Sequence, residues 1–240
     1  LVVEFFGARV RLLDRDANTR WRVEDLQRPS GAMHRQGGWW VSDSGLGAVF
    51  QLDDTGRLGF ADSSFTYPTD LAPADSEAVW VADRAGAVAR LHPQEGIVVS
   101  VPMSEPLVVA ETGDGGVWAA DLGRQALVRL DADGNEIRRL GGWERVEDLE
   151  PDPVVPAGVW VADRNGQRVV LLDGEGTLLR NLGSFPSPSS LSISPDGAEI
   201  WIADPTVGEV IRMTRDGLEL TRTQGLGAPV SISIAFDPSR

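Results

Sequence analysis

One five-residue phrase recurs along this 240-residue chain at a nearly fixed spacing: "WWVSD" (39–43), "VWVAD" (79–83), "VWAAD" (117–121), "VWVAD" (159–163) and "IWIAD" (200–204). The closing acids, Asp43, Asp83, Asp121, Asp163 and Asp204, lie 40, 38, 42 and 41 residues apart. A sixth copy opens the chain, where "LVVEFFGARVRLLDRDANTRWRV" aligns with "VWVADRNGQRVVLLDGEGTLLRNL" and puts Glu4 at the Asp position. Counting from Asp204 through the C-terminus and round to Glu4 gives 40 again, so six units close on themselves and use the whole chain. A four-stranded unit of about 40–45 residues repeated around a ring is a β-propeller.

Each unit reads as four short strands, in the fourth unit roughly 146–151, 158–162, 168–173 and 177–181. The second, "GVWVA", is apolar on both alternating faces, which predicts cover from both sides. "DDTG" (53–56), "DADG" (131–134) and "DGEG" (173–176) are hairpin turns with Gly where positive φ is needed. No helical periodicity lasts beyond a turn. The expectation is all-β: residues 1–240 form a single six-bladed propeller with four antiparallel strands per blade. "APVSISIAFDPSR" (228–240) parallels the first strand "PSSLSISPDG" (188–197). It is expected to sit innermost in a sixth blade completed by 1–22, closing the ring without a free seam.

"VWVADRNGQRVVLLDGEGTLLRNLG" and "SPSSLSISPDGAEIWIAD" resemble the NHL repeat in the order of strand, Ala-Asp, Gly/Asn loop, Arg-Val and Asp-Gly turn. The resemblance spans all six units. It implies a propeller of the kind used as extracytoplasmic sensors, protein-interaction platforms or RNA readers. It also brings in related six-bladed rings, the calcium-dependent gluconolactonase-like and the streptogramin-lyase-like enzymes.

Charge narrows these options. A net charge of −14 repels nucleic acid and anionic membrane surfaces, and it leaves a cation, a basic protein or a neutral ligand as partner. There is no Cys, hence no disulfide or thiolate metal site, and all 22 basic residues are Arg, so a Schiff-base lysine is excluded. No apolar run reaches the length of a membrane helix. Because the chain opens on "LVVEFFGARV", without Met or a basic leader, it is expected to be a mature form or an excised domain, secreted or periplasmic.

Residues that recur once per blade read as scaffold: the six strand-end acids, which accept loop N–H bonds, and Trp40, Trp80, Trp118, Trp160 and Trp201, which pack blade on blade. Departures from the repeat are the candidates for chemistry. Aligned on Pro29, Pro68, Pro106, Val146, Pro188 and Pro229, the inner strands carry Gly31, Asp70, Val108, Asp148, Ser190 and Ser231 at one position. Two residues on they carry Met33, Ala72, Ala110, Glu150, Ser192 and Ser233. Asp70, Asp148 and Glu150 are therefore expected to face the central channel, as oxygen ligands for Ca²⁺ or another divalent cation or as a metal-free acidic lining. Loops before blades two and four offer Phe65, Tyr67, Trp143 and Arg145 as a contact set for a protein or small ligand. His34 and His92 fall at different radii on the opposite face, which does not suit a concerted His–Glu site.

Two function classes follow. The favoured expectation is a non-catalytic binding or scaffold propeller that recognises a protein or small ligand through one loop-rich face. The alternative is a divalent-metal-dependent, lactonase-like hydrolase or lyase with its site at the channel.

Overall fold

The computed structural model describes residues 2–4, 7–14, 18–35, 38–229 and 231–232. Their regular structure is 23 strands and one short 3-10 turn, Leu122–Arg124. Five sheets have four strands in sequence order, and the described part of a sixth has three. Blades one to five span 29–62, 68–102, 106–141, 146–184 and 190–223, and blade six contributes Val2–Glu4, Arg9–Leu13 and Thr19–Val23. All strand pairs are antiparallel neighbours, as in blade four, where Val146–Pro151, Val159–Asp163, Arg168–Leu172 and Leu178–Ser184 follow one another outward. The molecule is an all-β, six-bladed propeller.

Most of the strand expected to close the ring, residue 230 and 233–240, lies outside the described residues. Its start nevertheless repeats the contacts made between other inner strands. Ser30 Oγ donates to the Pro68 carbonyl at 2.8 Å and Thr69 Oγ1 to the Leu107 carbonyl at 2.7 Å. Ser189 Oγ donates likewise to the Pro229 carbonyl at 3.3 Å. Pro229 thus stands beside blade five as Pro68 stands beside blade one.

The apolar residues bury between blades rather than within them, because each sheet is covered by its neighbours on both faces. Trp80 and Val88 of blade two pack on Val117, Ala119 and Val128 of blade three, and Trp118 packs in the same way on blade four. The indole N–H of Trp80 reaches the Gly115 carbonyl of the next blade at 3.0 Å, and that of Trp118 the Ala157 carbonyl at 2.9 Å. Each Trp thus joins two blades by area and by one hydrogen bond.

The strand-end acids are scaffold. Asp43 accepts N–H bonds from Gln27, Arg28, Gly45 and Leu46, and Asp83 from Thr66, Tyr67 and Ala85. Each ties the end of its strand to the loop that leads into the inner strand. Glu4, the variant copy, pairs with Arg9 and Arg11 instead. Gly134 and Gly176 close their Asp-Gly turns at φ of 82° and 79°, a region a Cβ disfavours.

Candidate active site in the central channel

Every inner strand of blades one to four breaks register near its start. Pro68 pairs with Asp83 but Asp70 with Ala82, and Val146 pairs with Asp163 but Asp148 with Ala162. The same irregularity follows Pro29 and Pro106. An extra residue in one strand of a pair is a β-bulge, and it re-aims the side chains beside it. Here it turns Asp70 and Asp148 toward the next blade. Asp70 Oδ2 accepts the Val109 N–H of blade three at 2.9 Å, and Asp148 Oδ2 accepts the Leu191 N–H of blade five at 2.7 Å. Asp148 Oδ1 also accepts its own neighbour's Leu149 N–H at 2.9 Å. Ser190, at the same position in blade five, accepts the Ile232 N–H at 3.2 Å.

Beyond the bulge the expected alignment holds. Met33, Ala72, Ala110, Glu150 and Ser192 each pair across from the Trp of their own blade. Glu150 is therefore one turn of the pleat below Asp148, on the same strand. Burial pushes the Asp70 carboxyl up to about 7, with the Asp148 charge adding to the rise. Burial pushes Asp148 up to about 6, helped by Glu147 and opposed by its N–H donors. Glu150 is raised well above the usual glutamate range by burial and then by the charges of Asp148 and Asp70. Glu150 senses the charges of Asp148 and Asp70, and Asp70 senses that of Asp148, so their titrations are linked. At neutral pH such a set holds both carboxylic acid and carboxylate, the condition for moving protons to and from a substrate.

The set is less suited to gripping a metal. Asp70 and Asp148 already accept backbone N–H bonds, and among the described residues no three acidic or histidine side chains are gathered around one point as ligands. A divalent ion held by Asp70, Asp148 and Glu150 together does not fit this arrangement, because the bulges direct the two aspartates along the ring rather than to a common centre.

The loop residues expected to form a contact face divide. Phe65 and Trp143 are 7% and 8% exposed and belong to the inter-blade cores. They are corrected from contact residues to packing residues. Both stand three positions before the inner strand, as do Leu26, Met103, Phe185 and Leu226. Trp143, Met103, Phe185, Leu26 and Leu226 share one backbone bond to the preceding blade, for example Trp143 N–H to the Gln125 carbonyl at 3.0 Å. Tyr67 lies under the Arg28 guanidinium at 5.4 Å, and Arg145 is bound to Glu147 at 2.6 Å. These two remain at the surface but belong to separate loops.

Neither histidine reaches the channel carboxylates. His34 lies against Trp39 and 3.4 Å from Asp54, and His92 lies 3.1 Å from Glu77. Sequence reasoning missed Glu111, at the end of blade three's inner strand. It pairs with Val117, the position His34 takes opposite Trp39 in blade one. Extending the inner-strand alignment by one residue brings it out.

The solved structures this chain resembles are of the same architecture. A virginiamycin B lyase from Staphylococcus aureus superposes with a TM-score of 0.82 over 98% of this chain and 83% of that one, at 11% identity. A streptogramin B lyase matches with a TM-score of 0.72 over 85% and 72%, at 16% identity. Kuenenia stuttgartiensis hydrazine synthase matches at 0.78 over 95% and 84%, again at 16% identity. No family model matches the chain, and no curated protein does. The likeness is one of fold. It corrects the expectation of a non-catalytic binding propeller, which rested on plentiful scaffold residues and a catalytic set visible only by alignment: lyases are built on the same ring.

Proposed function

We propose that this propeller is an enzyme of lyase type, acting on a small neutral or cationic molecule in its central channel by proton transfer between carboxyl groups. The single observation that carries the reading is the placement of Asp70, Asp148 and Glu150 on the inner strands of blades two and four, where burial raises all three above the ordinary carboxylate range. In an elimination, one carboxylate takes a proton from carbon while a carboxylic acid delivers one to the departing oxygen or nitrogen. Glu150, raised by burial and by the charges of Asp148 and Asp70, suits the acid, and the Asp70–Asp148 pair suits the base. Both steps stay within this chain's own residues and call for no metal.

The lyases among the structural neighbours support the choice of reaction class. A solved complex of one of them, a catalytically inactive histidine-to-alanine variant of virginiamycin B lyase with quinupristin, has a TM-score of 0.77 and 11% identity to this chain. In the present chain both histidines are paired outside the channel, so the proposed chemistry rests on carboxyls.

The test is a panel of lactones bearing an acidic C–H on the carbon next to the one that carries the ring oxygen, incubated with the protein and followed by mass. Elimination opens the ring without a change in mass, whereas hydrolysis adds one water. Turnover without mass change, lost in Glu150→Gln while the fold is kept, is the expected result. Turnover that survives Glu150→Gln, or products that have all gained water, would overturn the lyase reading.

A further inference from the structure

Blade four is unlike its neighbours on the face opposite the strand-end acids. The connection from its inner to its second strand covers 152–158, two residues longer than 74–78, 112–116 and 194–198. This loop is stiff. Pro153 and Pro156 fix φ within it, and Pro151 does so at the strand end just before it. Asp152, its side chain fully buried, accepts the N–H groups of Val154 (2.9 Å) and Val155 (2.6 Å) and the Trp160 indole (2.7 Å), and it pairs with Arg215 at 2.5 Å.

Between this loop and the end of blade three's inner strand lies a cavity of about 370 Å³. Pro151, Pro153, Val154 and Pro156 form one wall, and Glu111 and Thr112 the other. Val154 is 58% exposed. The neighbouring acid, Asp114, is engaged by Arg129 at 2.8 Å and by Thr112. Glu111 is not engaged in this way. It accepts no hydrogen bond from any described residue, and the one nearby charge that acts on it is Arg35, which donates to the Ala78 carbonyl at 3.1 Å. A half-buried carboxyl with no donor, facing an apolar wall, leaves its strongest bond unmade. The size is in the range of a small-ligand site, and a chain of net charge −14 draws cations to it.

We propose that this hollow binds a small amphipathic amine, its ammonium group on Glu111 and its apolar body against Pro151, Pro153, Val154 and Pro156. The binding is separate from the channel chemistry and stands or falls without it. A charge-assisted hydrogen bond distinguishes an amine from its neutral isostere by roughly tenfold or more in affinity.

The test is a calorimetric or NMR titration of the full chain with benzylamine, cyclohexylmethylamine and benzyl alcohol. Saturable binding of both amines, roughly tenfold tighter than the alcohol, is expected. Glu111→Gln is expected to erase that preference while the alcohol binds as before, and Val154→Arg, at an exposed position, to weaken all three. Equal affinity for amine and alcohol, amine binding unchanged in Glu111→Gln, or no saturable binding of either amine would overturn the proposal. Because the readout is binding, a failed lactone screen would leave it untouched, and its failure would leave the lyase reading untouched.

Discussion

Asp70 Oδ2 of blade two lies 2.9 Å from the Val109 nitrogen of blade three, so a carboxyl that titrates near neutrality also fastens two blades together. The two roles make opposite demands. Holding the N–H needs an oxygen acceptor, which the acid, the carboxylate and an amide all supply. Burying a charge costs stability unless it is paired.

Asp70→Asn separates them. It keeps the acceptor and removes the charge. With the folded pKa raised from 3.8 to about 7, Asp70 costs stability progressively as pH rises from about 4 to about 7, in full above that and not at all below about pH 4. Asp70→Asn is therefore expected to gain up to about 4 kcal/mol at pH 8 and nothing at pH 4. Asp70→Ala, which leaves the Val109 N–H unsatisfied, is expected to lose about 1–3 kcal/mol at pH 4. Urea unfolding of both variants at the two pH values checks this.

The whole protein is expected to be most stable in mild acid. Asp70, Asp148 and Glu150 have raised folded pKa values, so the native state takes up protons and gains stability as pH falls from about 7 toward 4. Asp152 is lowered although burial alone would raise it, because the Arg215 guanidinium and the Val155 and Val154 N–H groups outweigh that, and Asp75 is likewise brought down to about 2 by the Ala78 and Glu77 N–H groups and Arg90. Their stabilisation is present above about pH 4 and is lost as pH falls below it. A melting series from pH 3 to 9 should peak between about 4 and 6. A maximum at pH 8 would count against the raised channel carboxyls.

Trp118→Ala is expected to cost about 3–5 kcal/mol. The side chain is fully buried between blades three and four, and its loss also strands the Ala157 carbonyl. Chemical denaturation measures it directly, and a cost under about 1 kcal/mol would argue that the blades do not meet through this ring.

Asp152→Ala leaves Arg215 without its buried partner and frees the loop 152–158. A loss of about 3–5 kcal/mol is expected. Amine binding in the adjoining hollow should weaken in the same variant at temperatures where it remains folded.

The ring was legible because the period constrains every blade at once: the acids, the Trp positions and the Asp-Gly turns agree on six units, and Glu4 marks the sixth. The inner-strand alignment was legible too, since Pro29, Pro68 and Pro106 mark strand starts that the structure keeps. What Asp70 and Asp148 do there was not, because it depends on a bulge that shifts register by one residue and leaves no mark in composition. Phe65 and Trp143 misled for another reason. Judged within their own loops they look like exposed contacts, whereas set beside Leu26, Met103 and Phe185 they are one packing position repeated. Glu111 lay one residue past the end of the alignment that identified Glu150.

The central claim is that the channel holds carboxyls which exchange protons near neutrality. It is tested most directly by following the side-chain carboxyl carbons of ¹³C-labelled Asp and Glu by NMR from pH 3 to 9, with Asp70→Asn and Asp148→Asn as assignments. The Asp70 and Asp148 signals are expected to move around pH 6 to 7, the Asp70 midpoint falling when Asp148 is made Asn. Signals that have finished titrating below pH 5, each indifferent to the other's substitution, would contradict it.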